Sequence, residues 1–278
     1  MKFSCDKYVL QQAAASAARA AAAKSPIPTL EGLLIEAGAS VRITGYDLKK
    51  AIYTTIDADI PEPGSVLIGA RLFCEMLRRM PDGIVTVEAE NGTVSVKCGK
   101  AAFNLVGLSA DDYPDLPTVE AENGVSLPQD LLKKMINECS FAVSTNESRP
   151  VYMGTLFEIE NNVLTMVSVD GYRLGLRREA VEGYGDDCSF IVPGTALSDL
   201  ERLCGDSDER VVLSVGSKHI SFTVGNTVIL SRRLEGDFLN YKKAIPESFR
   251  VTVKTARTDL LEVVERVSLI IDSKNNAP

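Results

Sequence analysis

Residues 86–90, 93–98 and 101–106 alternate apolar and polar side chains with a glycine-containing step between runs, and residues 210–215, 218–224 and 226–231 do the same. A period of two with tight turns predicts half-buried strands joined as hairpins. The period changes elsewhere. At 71–80, Phe73, Met76, Leu77 and Met80 recur at i, i+3, i+4 and i+7, which predicts a helix with that stripe buried and Arg71 and Arg78 turned outward. At 128–140, Leu131, Leu132, Met135, Ile136 and Cys139 predict a second such helix, with Lys133 and Asn137 outward.

The pattern then repeats. Residues 65–117 run alongside 189–241 in the order strand, helix, acidic loop, three strands and an acidic, aromatic exit. Asp47 in SVRITGYDLKKAIYT (40–54) matches Asp170 in VSVDGYRLGLRRE (167–179), and Tyr113 matches Phe238. A period near 125 residues predicts duplicated domains. FRVTVKTARTDLLEVVERVSLII (249–271) repeats only the opening strand and helix, seen also in KFSCDKYVLQQAAASAA and GVSLPQDLLKKMINECSFAV. The expected organisation is an α+β chain with domains at 1–118 and 122–243 and an incomplete third, strand plus helix, at 247–278. The linkers fall at 115–124 and 242–248, and each repeat carries two helices whose exposed faces bear cations.

At 278 residues and 45% hydrophobic, the chain is large enough to bury more than one core. Its net charge of −8 argues against a generally basic nucleic-acid surface but leaves room for a local basic stripe. The longest low-polarity run, AAASAARAAAAK at 13–24, is broken by Arg19 and Lys24 and fits neither a membrane span nor a signal peptide. A cytoplasmic protein is expected. Cys5, Cys74, Cys98, Cys139, Cys188 and Cys204 show no C-x-x-C pairing, so reduced and mostly buried thiols are expected, with no metal site and no cofactor. His219, the sole histidine, lies in a strand pattern, and no phosphate loop or nucleophile elbow occurs. The acids of 109–115 and 205–209 read as solvated loops, and no catalytic residue is identified.

Six segments in order resemble one family: MKF at the start, SPIPTLEGLL (25–34), SADDYPDLP (109–117), RPVYMGTLFE (149–158), VSVDGYRL (167–174) and RVSLI (266–270). Together they resemble the bacterial DNA polymerase III beta subunits, the sliding clamps. That resemblance implies a head-to-tail ring of two three-domain protomers, with two lumen-facing helices per domain and an outer antiparallel sheet layer. It implies a non-catalytic processivity factor that encircles duplex DNA without sequence preference. The implied partners are the polymerase III catalytic subunit, the clamp loader and other proteins carrying a clamp-binding peptide. No membrane is involved.

By resemblance, Lys24, Asn146 and Arg149 match DNA-contacting positions; the helical-face pattern adds Arg71, Arg78, Lys133 and Arg202, with Arg19 a weaker member. Taken singly, each cation reads as a solvated surface residue. Thr195 stands where many relatives carry lysine, which thins the DNA-facing charge. The implied peptide pocket comprises Tyr152, Val169, Gly171, Tyr172, Arg173, Leu174, Leu239, Lys243 and Ala244, of which Tyr152, Val169, Leu239 and Ala244 depart from the commonest types. As strand residues alone, Val169 and Leu174 fit a core equally well. Phe103 and Leu105 match one side of the implied dimer interface, Leu269 and Ile270 the other. With a third domain short of strands, this chain is expected not to close the usual ring and to expose Leu260, Leu261, Val264 and Val267. Two other functions stay open: a peptide-binding scaffold that does not encircle DNA, and a nuclease using acids such as Asp111 and Asp112.

Overall fold

The computed structural model describes residues 1–119, 124–182 and 187–271. The chain falls into two compact units, Met1–Phe238 and Leu239–Pro278.

The first unit holds both complete repeats. One runs β1 (Lys2–Asp6), α1 (Lys7–Ala18), β2 (Gly32–Ala37), β3 (Val41–Tyr46), β4 (Lys50–Ile56), β5 (Asp59–Glu62), β6 (Gly64–Gly69), α2 (Ala70–Arg79), β7 (Ile84–Glu90), β8 (Thr93–Cys98) and β9 (Ala101–Leu108). The other runs β10 (Gly124–Pro128), α3 (Gln129–Ser140), β11 (Gly154–Glu160), β12 (Val163–Val169), β13 (Leu174–Ala180), β14 (Cys188–Pro193), α4 (Gly194–Leu203), β15 (Arg210–Val215), β16 (His219–Val224) and β17 (Thr227–Arg232). Apart from the short β5, each element of the first has its counterpart in the second.

Sheet order makes the equivalence concrete. Strands β4-β3-β2-β6 lie side by side, and so do β13-β12-β11-β14; β9-β8-β7-β1 likewise mirrors β17-β16-β15-β10. The repeats join where β17 pairs antiparallel with β4, Thr227 opposite Thr54 and Ser231 opposite Lys50. A single thirteen-stranded sheet therefore crosses the joint. The buried Thr54 and Thr227 hydroxyls, 2.9 Å apart, satisfy each other there.

Local chemistry places the helices. Asp6 caps α1 by accepting from the Tyr8 and Val9 amides at 2.8 and 3.3 Å. The alanine run supplies small buried residues, Ala13, Ala14 and Ala17, that let α1 lie directly on strands. A Cβ added to Gly45 on β3 would stand 2.1 Å from the Ala17 carbonyl oxygen. In the second repeat the close approach is made from the neighbouring strand: a Cβ added to Gly175 on β13 would stand 3.0 Å from the Cys139 backbone. Gly45 is opposite Ile52 and Gly175 opposite Ser168, so each repeat puts one glycine in the same cross-strand pair. Phe157 then fills the second core, stacked on Phe190 at 5.5 Å and edge-on to Phe222 at 6.4 Å.

Phe73, Met76, Leu77 and Met80 are buried and Arg71 and Arg78 exposed, as expected; Leu131 is only half-buried. The exposed face of α1 differs from expectation, being Tyr8, Val9, Gln12 and Ala15 with no cation among them. The exit at 109–117 is anchored by the buried Tyr113, and residues 120–123 of the expected linker lie outside the described residues.

The second unit contains α5 (Tyr241–Ala244) and α6 (Arg257–Ser268). The expected helix forms, with Leu260, Leu261, Val264 and Val267 exposed. The expected strand does not: 250–255 carry no ladder, and Phe249, Val251 and Val253 are exposed. The counterparts of this segment are strands because β7 holds β1 and β15 holds β10; among the described residues nothing pairs with 250–255. Residues 272–278 of the expected third domain lie outside the described residues.

Candidate functional site

Register converts the repeat into pairs of equivalent side chains. Gly32 stands opposite Gly69, and Gly154 opposite Pro193, so α2 and α4 begin at matching points. Arg71 therefore corresponds to Thr195 and Arg78 to Arg202, while the loops after α1 and α3 match Lys24 to Asn146. All six are exposed. The loop after α3 is shaped by its own side chains: Asn146 Oδ1 accepts from the Ser148 amide at 3.0 Å and hydroxyl at 2.7 Å, and the Arg149 amide donates to the Asn146 carbonyl oxygen at 3.2 Å. Arg149 is thereby held on an exposed turn.

Lys133 departs from the expected outward cation. Its ammonium sits 2.6 Å from Asp206, and that hydrogen bond foremost raises its pKa. Its charge is locally answered, so it has less to offer a phosphate than Arg71, Arg78 or Arg202. Arg78 makes only a loose contact to Glu75 at 3.8 Å.

The helix pairs meet at the joint. Asp199 of α4, nearly buried, forms an ion pair with Lys50 of β4 and lies 4.0 Å from Arg19, just after α1. Ala20 and Ile52 of the first repeat belong to the second repeat's core. One helical layer and one sheet thus run through both repeats of this unit.

Turn chemistry positions the candidate peptide site. Asp170 Oδ1 accepts from the Tyr172 and Arg173 amides at 3.0 and 3.1 Å, as Asp47 Oδ1 does from Lys49 and Lys50 at 2.9 and 2.7 Å. The Tyr172 amide, then the Arg173 guanidinium, hold the Asp170 carboxyl below its ordinary range. Gly171 takes φ +96°, a conformation costly for residues with a Cβ. The turn leaves the Tyr172 side chain 100% exposed and the Arg173 guanidinium 5.8 Å over the Phe141 ring. Leu174 is half-buried and Val169 buried beneath. Tyr152 sits edge-on to Phe238, ring centres 5.6 Å apart.

The first repeat uses the equivalent positions otherwise. Leu30, Tyr46, Ala51 and Tyr113 match Tyr152, Val169, Leu174 and Phe238, and with Leu67 and Leu230 of β17 they form a buried cluster. There the neighbouring repeat fills the space. In the second repeat Tyr152, Leu174 and Phe238 remain only half-buried. Phe238 and Phe141 were not among the sequence candidates, although the match of Phe238 to Tyr113 pointed to the first. Leu239, Lys243 and Ala244 are exposed in the second unit, where the Asn240 side chain accepts from the Lys243 amide at 3.4 Å.

Phe103 is 45% exposed on β9 while Leu105 packs on the first core; Leu269 and Ile270 are exposed just after α6. Burial pushes the Cys5 thiol up to about 12 and those of Cys74, Cys139 and Cys204 up to about 11, which leaves them protonated at neutral pH. Among the described residues no three His, Cys, Asp or Glu side chains converge to hold a metal ion.

A family model described as the DNA polymerase III beta subunit, N-terminal domain, matches residues 1–117, and one described as its central domain matches 126–240. This chain belongs to the beta sliding clamp family. The beta sliding clamp of Bacillus subtilis (strain 168) is 31% identical over 289 residues, covering 99% of this chain and 76% of the relative. Among solved structures, a putative DNA polymerase III beta subunit from Eubacterium rectale ATCC 33656 is similar with a TM-score of 0.94 at 30% identity, over 99% of this chain and 76% of that one. The Bacillus subtilis DNA polymerase sliding clamp gives 0.94 at 30% identity, over 98% and 75%. This sliding clamp chain therefore spans about three quarters of the length of those relatives. The α+β clamp repeat expected from the sequence is the fold they share with it.

Proposed function

We propose that this clamp chain belongs to a processivity factor that encircles duplex DNA when its third domain is complete and has no catalytic centre of its own. The observation that carries the reading is the joint. Pairing of β17 with β4 makes two repeats one wall, and Asp199 binds their helix layers together, which is how a rigid arc around DNA is built. Lys24, Arg71, Arg78, Arg149 and Arg202, with Asn146, meet backbone phosphates, which carry no sequence information. Few cations on a chain of net charge −8 give a loose grip. Closure around the duplex, rather than affinity, then supplies persistence.

The second reading concerns docking. Tyr152, Val169, Gly171, Tyr172, Arg173 and Leu174 receive short apolar-anchored peptides of the polymerase III catalytic subunit, the clamp loader and other partners. The half-buried state of Tyr152, Leu174 and Phe238 supports this site, because the equivalent first-repeat residues are covered. The place of action is the cytoplasm, and among the described residues no helix is long and apolar enough to cross a membrane.

The test is primer extension by polymerase III and its clamp loader on a singly primed circular template. Addition of the protein with a complete third domain is expected to lengthen the products of one binding event. Unchanged product length alongside intact peptide binding leaves the scaffold function instead.

A further inference from the structure

Seven residues, about two turns, separate Arg71 from Arg78 on α2 and Thr195 from Arg202 on α4, so each helix presents its pair on one face. All four are exposed. The register that equates the two helices puts Thr195 at the place of Arg71, and the row of cations on the second repeat stops one position short.

What borders Thr195 comes from the other repeat. A cleft of about 700 Å³ at the joint is lined by Thr195 together with Lys49, Lys50, Arg232, Arg233 and Pro150, the residue that follows Arg149. Three of its four cations are engaged. Lys50 pairs with Asp199, and Arg232 lies 3.3 Å from Glu235. Arg233 donates to the carbonyl oxygens of Gly216, Ser217 and Ser189 while covering the Phe190 ring. Lys49 is exposed and makes no ion pair among the described residues.

Its backbone is held on both sides. Asp47 Oδ1 accepts from the Lys49 amide at 2.9 Å, and the Lys49 carbonyl oxygen accepts from the Arg232 amide at the end of β17, also at 2.9 Å. The turn that presents it is strained: Leu48 takes φ +69°, where its counterpart is Gly171 at +96°. That conformation is costly for a residue with a Cβ, and it persists because the surrounding bonds determine it.

We infer that Lys49 is a further phosphate-contacting residue, standing across the joint to complete the row that Thr195 interrupts on the second repeat. An unanswered ammonium on a held turn meets a phosphate with little ordering of the backbone. Its alignment with Arg202 and Arg149 favours the duplex over an acidic peptide as the occupant of this cleft. The inference rests on the DNA reading above and adds to it a residue that no helix face supplies.

The test loads the protein, its third domain complete, onto a nicked circular duplex with a photo-reactive phenylalanine analogue in place of Lys49, Arg202 or Lys97. Lys97 is the control, because the buried Val96 and Cys98 on either side turn it away from the core. Crosslinks to DNA are expected from positions 49 and 202 and not from 97. Crosslinking from 202 without 49 overturns the inference and leaves the DNA reading standing. Crosslinking from neither removes the DNA reading, and the inference falls with it. Equilibrium binding of the same protein to a short duplex, whose ends let it thread, supplies a second readout. Lys49→Gln is expected to lower the slope of log affinity against log salt by about 0.9, the release belonging to one phosphate contact. Lys49→Gln with Thr195→Lys is expected to restore it. A slope unchanged by Lys49→Gln overturns the inference, as does a double variant that recovers nothing.

Discussion

Equivalent residues in the two repeats face opposite demands, and substitution should separate them. Ala51 is buried in the joint cluster, so Ala51→Asp strands a carboxylate without a partner and should cost about 3 kcal/mol of stability in urea unfolding. Leu174→Asp, at a half-buried edge, should leave the fold nearly intact and weaken binding of a polymerase-derived peptide at least about tenfold. Unchanged peptide affinity would refute the docking assignment. Acid sensitivity has a residue-level source as well. Burial, aided by Arg232 and Lys218, holds the His219 pKa below its ordinary 6.5. The folded protein then takes up this proton less readily than the unfolded chain. Its contribution is complete above about pH 6.5 and falls as pH drops through the lowered folded value. The urea midpoint should therefore fall less between pH 7.5 and 5.5 in His219→Gln than in the parent.

At the scale of elements, the helix-on-strand contact is set by backbone rather than side chains. Gly45→Ala drives a methyl into the Ala17 carbonyl and should destabilise by about 3 kcal/mol or more, whereas Gly69→Ala meets nothing within 4 Å and should stay within about 0.5 kcal/mol on thermal unfolding. The paired strands and the helices α2 and α3 were legible in the sequence because periods of 2 and 3.6 are local signals. The segment 249–255 has a strand's alternation yet forms none, because a ladder needs a neighbour that local sequence does not encode. Lys133 reads as an outward cation on its own helix, but Asp206, 73 residues further along, claims it. The turns at Asp47 and Asp170 looked alike in sequence and are alike. What distinguishes them is whether Leu230 and Tyr113 cover the neighbouring strand, a fact of tertiary packing.

For the molecule as a whole, stiffness of the arc rests on the joint. Asp199→Ala removes the carboxylate that answers Lys50, whose side chain is only 12% exposed, and should cost about 2–4 kcal/mol, part of which Lys50→Met should recover. Loss of cooperativity between the two repeats in calorimetry would accompany it. With its third domain complete, the clamp holds DNA by topology and not by affinity. Loading that protein onto a nicked circular duplex, washing at high salt, and comparing retention before and after the circle is cut once separates the two. Stable retention on the circle and rapid loss through the free ends after cutting are expected; equal retention on circle and line would rule topology out.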